Sequence, residues 1–349
     1  MSAVKRSLGA AICTTILAGS FAGSALAQSV EWDVAAHFPT SMPLTGVSMK
    51  RMSSLIATLS GDEIKLNLSE PGALVPPGEI LQSVRAGAVQ AGFSAPGFWA
   101  GQEPALQIFG GLPFGPSPED FLSWFYAGEG RELYDELYAA FNIHAIPCGV
   151  IPEEAAGWFN KEITSTADFS GLKMRIFGLG GLVLEKFGAS PQLMSVGDTV
   201  PALELGTIDA AEMVVPSIDH QLGFYNFAER YYFPGWHQRT TFTDLLINID
   251  EWNALDDRQK AIVETACGDN VRFSTALGPA SQPDALEKID GEGKSAERLS
   301  DEVVSELRKA WEQVASEQSE KSPAFAKAYG SLNQFVERQQ RWKDLQALD

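Results

Sequence analysis

Two stretches of the chain, SVRAGAVQAGFSAPG (83–97) and ALELGTIDAAEMVVP (202–216), share one grammar. Each runs from a helix end through a glycine, a β-branched residue, a polar residue and two small residues. Each then enters a strand that heads for a proline. Gly87 matches Gly206, Val89 matches Ile208, Gln90 matches Asp209 and Ala91 matches Ala210, at a separation of 119 positions. That period is far longer than a solenoid repeat, so it describes one structural unit used once in each of two lobes. The rest of the chain agrees. Residues 30–35 alternate as a strand, and a helix over 44–59 carries Val47, Met52, Leu55, Ile56 and Leu59 on one face. Strand and helix signals then alternate: strand 64–68, helix 79–86, helices near 118–126 and 130–141, strands at 143–150 and 158–159. Alternation of this kind favours an α/β sheet covered by helices. A strand over 245–248 is expected to return to the first lobe, followed by a helix over 257–265 and a long helix over 295–314.

The segment FSGLKMRIFGLGGLVLEKFG (169–188) carries the most suggestive chemistry. Leu172 to Ile176 alternate as a half-buried strand, with Arg175 on the face of Lys173, and a glycine cluster then leads into a helix. A planar, permanently charged guanidinium at a strand end suits a carboxylate, which it grips with two parallel hydrogen bonds. The plain alternative is a structural ion pair with one of the chain's many acids. A dinucleotide reading fails, because position 183 of the would-be GxGxxG is valine and the strand carries Lys173 and Arg175.

Residues 1–27 read as an export leader: Lys5 and Arg6, an apolar run over 8–24, and Ala25-Leu26-Ala27 as the cleavage signal. Cys13 lacks the residues of a lipoprotein anchor. Without the leader, 24 Lys and Arg face 45 Asp and Glu, a net charge of −21 against −19 for the whole chain. Such a chain repels nucleic acid and anionic membranes. The remaining cysteines, Cys148 and Cys267, are expected to be two buried free thiols, although export permits a disulfide. The histidines (His37, His144, His220, His237) form no HxxH or HExxH pair, which gives zinc no support. A mature chain of 322 residues exceeds what one hydrophobic core usually serves.

A secreted enzyme using Glu153, Glu154 or Glu212 is the rival from another class, with Glu212 as base or metal ligand. No GxSxG turn or metal motif accompanies those acids. Glu212 is still unusual, since its neighbours Ala210-Ala211 and Met213-Val214-Val215 are small or apolar. An unpaired carboxylate there is costly, so it must meet Arg175, a cation or water. Phe93 stands at the matching place of the other copy, so the charge is a local departure of the kind that marks sites.

Asp168-Phe-Ser-Gly-Leu-Lys-Met-Arg175, Phe187-Gly188-Ala189-Ser190-Pro191 and Ala202-Leu-Glu-Leu-Gly-Thr-Ile-Asp-Ala-Ala-Glu212 follow one another in the order and spacing of a known pattern. It resembles the DctP-type solute-binding proteins of tripartite ATP-independent periplasmic (TRAP) transporters. Leu222 to Tyr225 and Tyr231 to His237 are similar to the branch that binds 2-oxo acids and related carboxylates. The resemblance implies a two-lobed periplasmic binding protein fold, α/β with a hinge and long C-terminal helices, closing on a small carboxylate. The expected divisions are lobe I over 28–150, lobe II over 151–238, a return over 239–280 and C-terminal helices over 281–349. It implies that Arg175 clamps the carboxylate and that Glu212, helped by the backbone of the next residue, binds a sodium or calcium ion. Glu154, Met213 and Gln238 stand where the branch has glutamine, tryptophan and glutamate. The acid lost at 238 thus reappears at 154. Gly97-Phe98 stand where tyrosines are usual, which removes a hydroxyl. Membrane transporter subunits are the implied partners, and the C-terminal stripes offer a homodimer seam as well as a packing face.

Overall fold

The computed structural model describes residues 29–347, so the leader and its cleavage after Ala27 lie outside the described residues. Two sheets organise the chain. The first takes strands β1 (Val30–Ala36), β2 (Ile64–Leu68), β3 (Ala91–Ser94), β4 (Ile143–Ile151) and β10 (Thr241–Asn248), in the order β2-β1-β3-β10-β4. The second takes β5 (Gly157–Phe159), β6 (Lys173–Arg175), β7 (Ser190–Gln192), β8 (Ala210–Ala211), β9 (Arg230–Phe233) and β11 (Ala296–Arg298), in the order β11-β9-β5-β8-β6-β7. β1 pairs in parallel with β2 and β3, whereas β10 runs antiparallel between β3 and β4. β6 likewise pairs in parallel with β7 and β8. The two copies of the sequence unit therefore end in equivalent strands, β3 and β8, one in each sheet. Gly87 and Gly206 both take a left-handed φ, 69° and 67°, to make the turn before them.

The helices are α1 (Thr45–Ser60), α2 (Ile80–Arg85), α3 (Pro118–Ala127), α4 (Gly130–Ala139), α5 (Gly180–Glu185) and α6 (Val196–Glu204). They continue with α7 (Pro216–Leu222), α8 (Ile249–Ala254), α9 (Asp257–Ala280), α10 (Gln282–Gly291), α11 (Asp301–Lys321) and α12 (Pro323–Gln346). Alternation along β10 splits the core: Leu245 and Ile247 pack with α1 and α9, whereas Phe242 and Leu246 face the aromatic layer of Phe109, Phe121, Trp124, Phe125 and Tyr134. α11 lies on α5 in the second lobe, while α12 lies on α3 and α4 in the first. Their apolar stripes are thus spent on the body, with Val303, Leu307, Trp311, Phe325 and Leu332 buried. Among the described residues no helix is long and apolar enough to cross a membrane.

Three local expectations are corrected. α1 buries Met49, Met52 and Ile56 but leaves Val47 and Leu59 40% and 46% exposed, because its contact with α9 and β2 turns the stripe toward small residues such as Ser48. α9 continues well beyond Thr265 to Ala280. Asn270 donates to the Cys148 carbonyl and Val150 N donates to Ser274 Oγ at 2.8 Å, so docking on β4 overrides the weak helix propensity of Gly268. Residues 296–298 form edge strand β11, and the helix expected from 295 begins only at Asp301, where the Ser300 hydroxyl accepts from Val303 N.

The same docking overturns the free-thiol expectation. α9 lies along β4, and Cys148 and Cys267 are joined in a disulfide.

Inside the first sheet, Asp244 is fully buried and accepts the hydroxyls of Tyr134 and Tyr138 at 2.7 Å each. Burial outweighs those hydrogen bonds and raises its pKa to about 7. The folded chain therefore binds one more proton than the unfolded chain between the ordinary aspartate range and pH 7, and stability falls as pH rises through that window. Asp244→Asn is expected to remove this slope, about 1.4 kcal/mol per pH unit. Urea unfolding at several pH values between 4.5 and 7.5 measures it; parallel profiles for variant and parent would contradict the assignment.

Candidate functional site

The motif residues first build the frame. Asp168 accepts from the backbone of Thr164 and Ser165 and closes a capping box with Ser165, and Gly171 turns the chain into β6. Asp209 accepts from Lys173 N at 2.9 Å and its own N–H donates to the Lys173 carbonyl. Those bonds set the register of β8 against β6, so Glu212, one step past β8, donates its N–H to the Arg175 carbonyl at 2.9 Å. Backbone pairing thereby places the two charges side by side. Met213 and Val214 follow on a loop held from below by buried Asp219, which accepts from Val214 N, Trp158 Nε1 and the Tyr231 hydroxyl.

Two further segments complete the site where the chain crosses between sheets. Residues 152–156 link β4 to β5, residues 234–240 link β9 to β10, and Glu154 N donates to the Gln238 carbonyl at 3.2 Å. These crossings deliver Glu154, His237 and Gln238 opposite Arg175 and Glu212. The glycine cluster after β6 has a packing role: a Cβ on Gly180 would lie 2.7 Å from His237 Cβ. It clears space for the crossing strand and cradles no phosphate.

Arg175 is 3% exposed, and Nη1 donates to Glu212 Oε2 at 2.9 Å and to the Glu212 carbonyl. Nε donates to the Met194 carbonyl at 3.4 Å, which leaves Nη2 without a protein acceptor among the described residues. His237 Nε2 lies 3.6 Å from Glu212 Oε1 and 3.7 Å from Glu154 Oε2. Glu154 Oε2, Glu212 Oε1, Gln238 Oε1 and both His237 ring nitrogens are buried without a hydrogen-bond partner. Burial, and then the Glu212 charge, push the Glu154 carboxyl well above the usual range. Burial pushes Glu212 up too, but the Arg175 guanidinium, with His237 beside it, outweighs that and holds its pKa at about 2. The two neighbouring carboxyls are thus driven apart, Glu154 toward the protonated form and Glu212 toward the ionised one. His37, buried near Arg175, is pulled down to about 3 and is neutral.

Glu154, Arg175, Gln238 and Thr241 line the polar side of a cavity of about 30 Å³, and Phe38, Ala95, Phe98, Ile151, Phe177, Val196, Met213 and Val214 line the rest. Glu212 lies directly behind, against Arg175. All five residues singled out in the sequence meet at this one place between the lobes. His237 was missed as a donor, because ligand spacings within a helix or loop cannot find a group delivered by a separate crossing strand. Its cue was its place directly before Gln238. Phe177, next to Ile176, carried no polar signal.

The family model for bacterial extracellular solute-binding proteins, family 7 (DctP), matches residues 35–322. The chain belongs to the DctP family. A relative from Nostoc, described as a monocarboxylate 2-oxoacid-binding periplasmic protein, is 31% identical over 92% of this chain and 88% of its own length. A TRAP transporter solute-binding protein of Bordetella bronchiseptica, with calcium and picolinate in its site, superposes with a TM-score of 0.88 at 34% identity, covering 91% of this chain and 94% of that one. That of Pseudoalteromonas atlantica, holding sodium and pyruvate, gives 0.85 at 28% identity, covering 92% and 100%.

The two solved structures hold a cation together with the ligand, and the donor set of this chain fits one. Glu154, Glu212 and His237 each bring a buried donor atom within 4.8 Å of the others, and Gln238 Oε1 is a further buried oxygen that no protein hydrogen bond satisfies.

Proposed function

We propose that this chain is the periplasmic receptor of a TRAP transporter for a small monocarboxylate, a 2-oxo or hydroxy acid, bound together with one sodium or calcium ion. The observation that carries the reading is Arg175: buried, fixed on one side by Glu212, lining a cavity between two lobes and with Nη2 left without a protein acceptor among the described residues. An ordered fork of this kind binds a carboxylate with geometry as well as charge. Glu212 Oε1, Glu154 Oε2, Gln238 Oε1 and His237 Nε2 would hold the cation, which when bound supplies positive charge to the ligand oxygens. Met213 and Gln238 border the ligand. A cavity with room for one or two waters requires the lobes to part before an organic acid enters, and closure around it then gives the membrane subunits a distinct shape to recognise. The leader is removed after Ala27, the protein acts in the periplasm, and no bond of the ligand is broken.

The test combines cation and ligand. With protein stripped of calcium by a chelator and held in sodium-free buffer, pyruvate alone is expected to leave the melting temperature unchanged, and calcium or sodium to restore the shift. A ligand at a hundred times its Kd contributes about 2.7 kcal/mol, and Glu212→Gln is expected to erase that cation-dependent part. Retained cation dependence in the variant would remove Glu212 from the site. Chemical turnover of the acid would replace the transport reading by an enzymatic one.

A further inference from the structure

The polar and apolar parts of the cavity are segregated. Arg175 is its only cationic lining residue, and the Thr241 hydroxyl is already taken, accepting from Gln238 Nε2 at 2.7 Å and donating to the Gly110 carbonyl at 3.2 Å. Beyond them the walls are carbon. Phe98 follows β3 in the first lobe and Phe177 follows β6 in the second, and their rings meet edge to face at 4.7 Å across the cleft. The other face of Phe98 stacks on neutral His37 at 3.6 Å. Gly97 admits this arrangement: a Cβ there would lie 2.6 Å from Phe177 Cε1 and Cζ. A side chain at 97 would drive the Phe177 ring out, so Gly97, Phe98 and Phe177 act together as one apolar clamp.

Resting on the carboxylate reading above, we propose that the ligand is a monocarboxylate with a hydrocarbon tail, branched or aryl, held between Phe98 and Phe177 as the lobes close. One fork reads one carboxylate. The tail replaces the ring-to-ring contact that the two lobes make with each other, and flexible Met213 adapts to its width. A hydroxyl or second carboxylate on the tail would lose its water and meet only carbon, which is costly. Aromatic edges and faces instead favour flat or branched hydrocarbon.

Calorimetric titration of the mature protein in calcium tests this with pyruvate, 2-oxobutyrate, 2-oxopentanoate, 4-methyl-2-oxopentanoate, phenylpyruvate and 2-oxoglutarate. The expected result is a ladder: Kd falls about fourfold for each methylene added to pyruvate. 2-Oxoglutarate, which has the chain length of 2-oxopentanoate but a second carboxylate, binds about a hundredfold more weakly than it. Phe98→Ala is expected to flatten the ladder and Phe98→Tyr to narrow the gap to 2-oxoglutarate; should either variant not fold, the ladder of the parent decides alone. Pyruvate binding with a flat or inverted ladder, or 2-oxoglutarate binding as tightly as 2-oxopentanoate, overturns the apolar clamp and leaves the carboxylate reading standing. Binding of none of the six acids overturns the carboxylate reading itself, and the clamp with it.

Discussion

Arg175→Ala is expected to weaken binding of a 2-oxo acid between about thirtyfold and several thousandfold, the range for truncating one partner of a buried, hydrogen-bonded charge pair. The difficulty is that Arg175 also neutralises Glu212, which is wholly buried. Removing the cation leaves a buried carboxylate unpaired, a change that typically destabilises by about 3–5 kcal/mol. Lost binding in that variant alone would therefore not separate a ligand clamp from a structural ion pair. Arg175→Lys separates them. An ammonium keeps a charge beside Glu212 but cannot bond Glu212 through one nitrogen while presenting a second, coplanar one to the cavity. The lysine variant is expected to melt near the parent temperature and still lose most of its affinity. If both variants fold and bind pyruvate as the parent does, Arg175 is only Glu212's partner and the clamp is wrong.

That ambiguity shows where sequence reasoning ended. The alternation over 172–176 and the repeated unit around Gly87 and Gly206 carry backbone information: the first becomes β6, and the two repeats end in β3 and β8, equivalent strands of two sheets. The oddity of Glu212 was also legible, since a charge among alanines, methionine and valines must be matched. The match is Arg175, through a register that Asp209 and Lys173 set locally. Illegible features depend on tertiary neighbours. His237 joins Glu154 and Glu212 only because two crossing strands run side by side. The second half of α9 is helical because β4 lies beneath it, despite Gly268. Phe177 is a wall of the cleft because Gly97, on another lobe, leaves room for it. A hydrophobic pattern reports which face is buried, but not what it is buried against.

The disulfide is the largest of these tertiary surprises, and it makes the second strong prediction. Cys148 lies in β4 and Cys267 in α9, and the bridge closes 119 residues of chain that include all of the second lobe's strands except β11. In the chain-entropy view, cross-linking a loop of about 100 residues removes about 4.7 kcal/mol of freedom from the unfolded state. Replacing both cysteines by alanine is expected to cost about that much, which for roughly 320 residues corresponds to a fall of about 7 °C in melting temperature. Parent protein held in reductant should melt alongside the variant. Ligand affinity should change little, because neither sulfur lines the cavity and the crossings that carry Glu154 and Gln238 are held by their own backbone bonds. Two titratable thiols in unreduced, denatured protein would show the bridge to be absent. An unchanged melting temperature in the double variant would overturn the entropic account and show that docking of α9 on β4, through Asn270 and Ser274, holds the fold without the bridge.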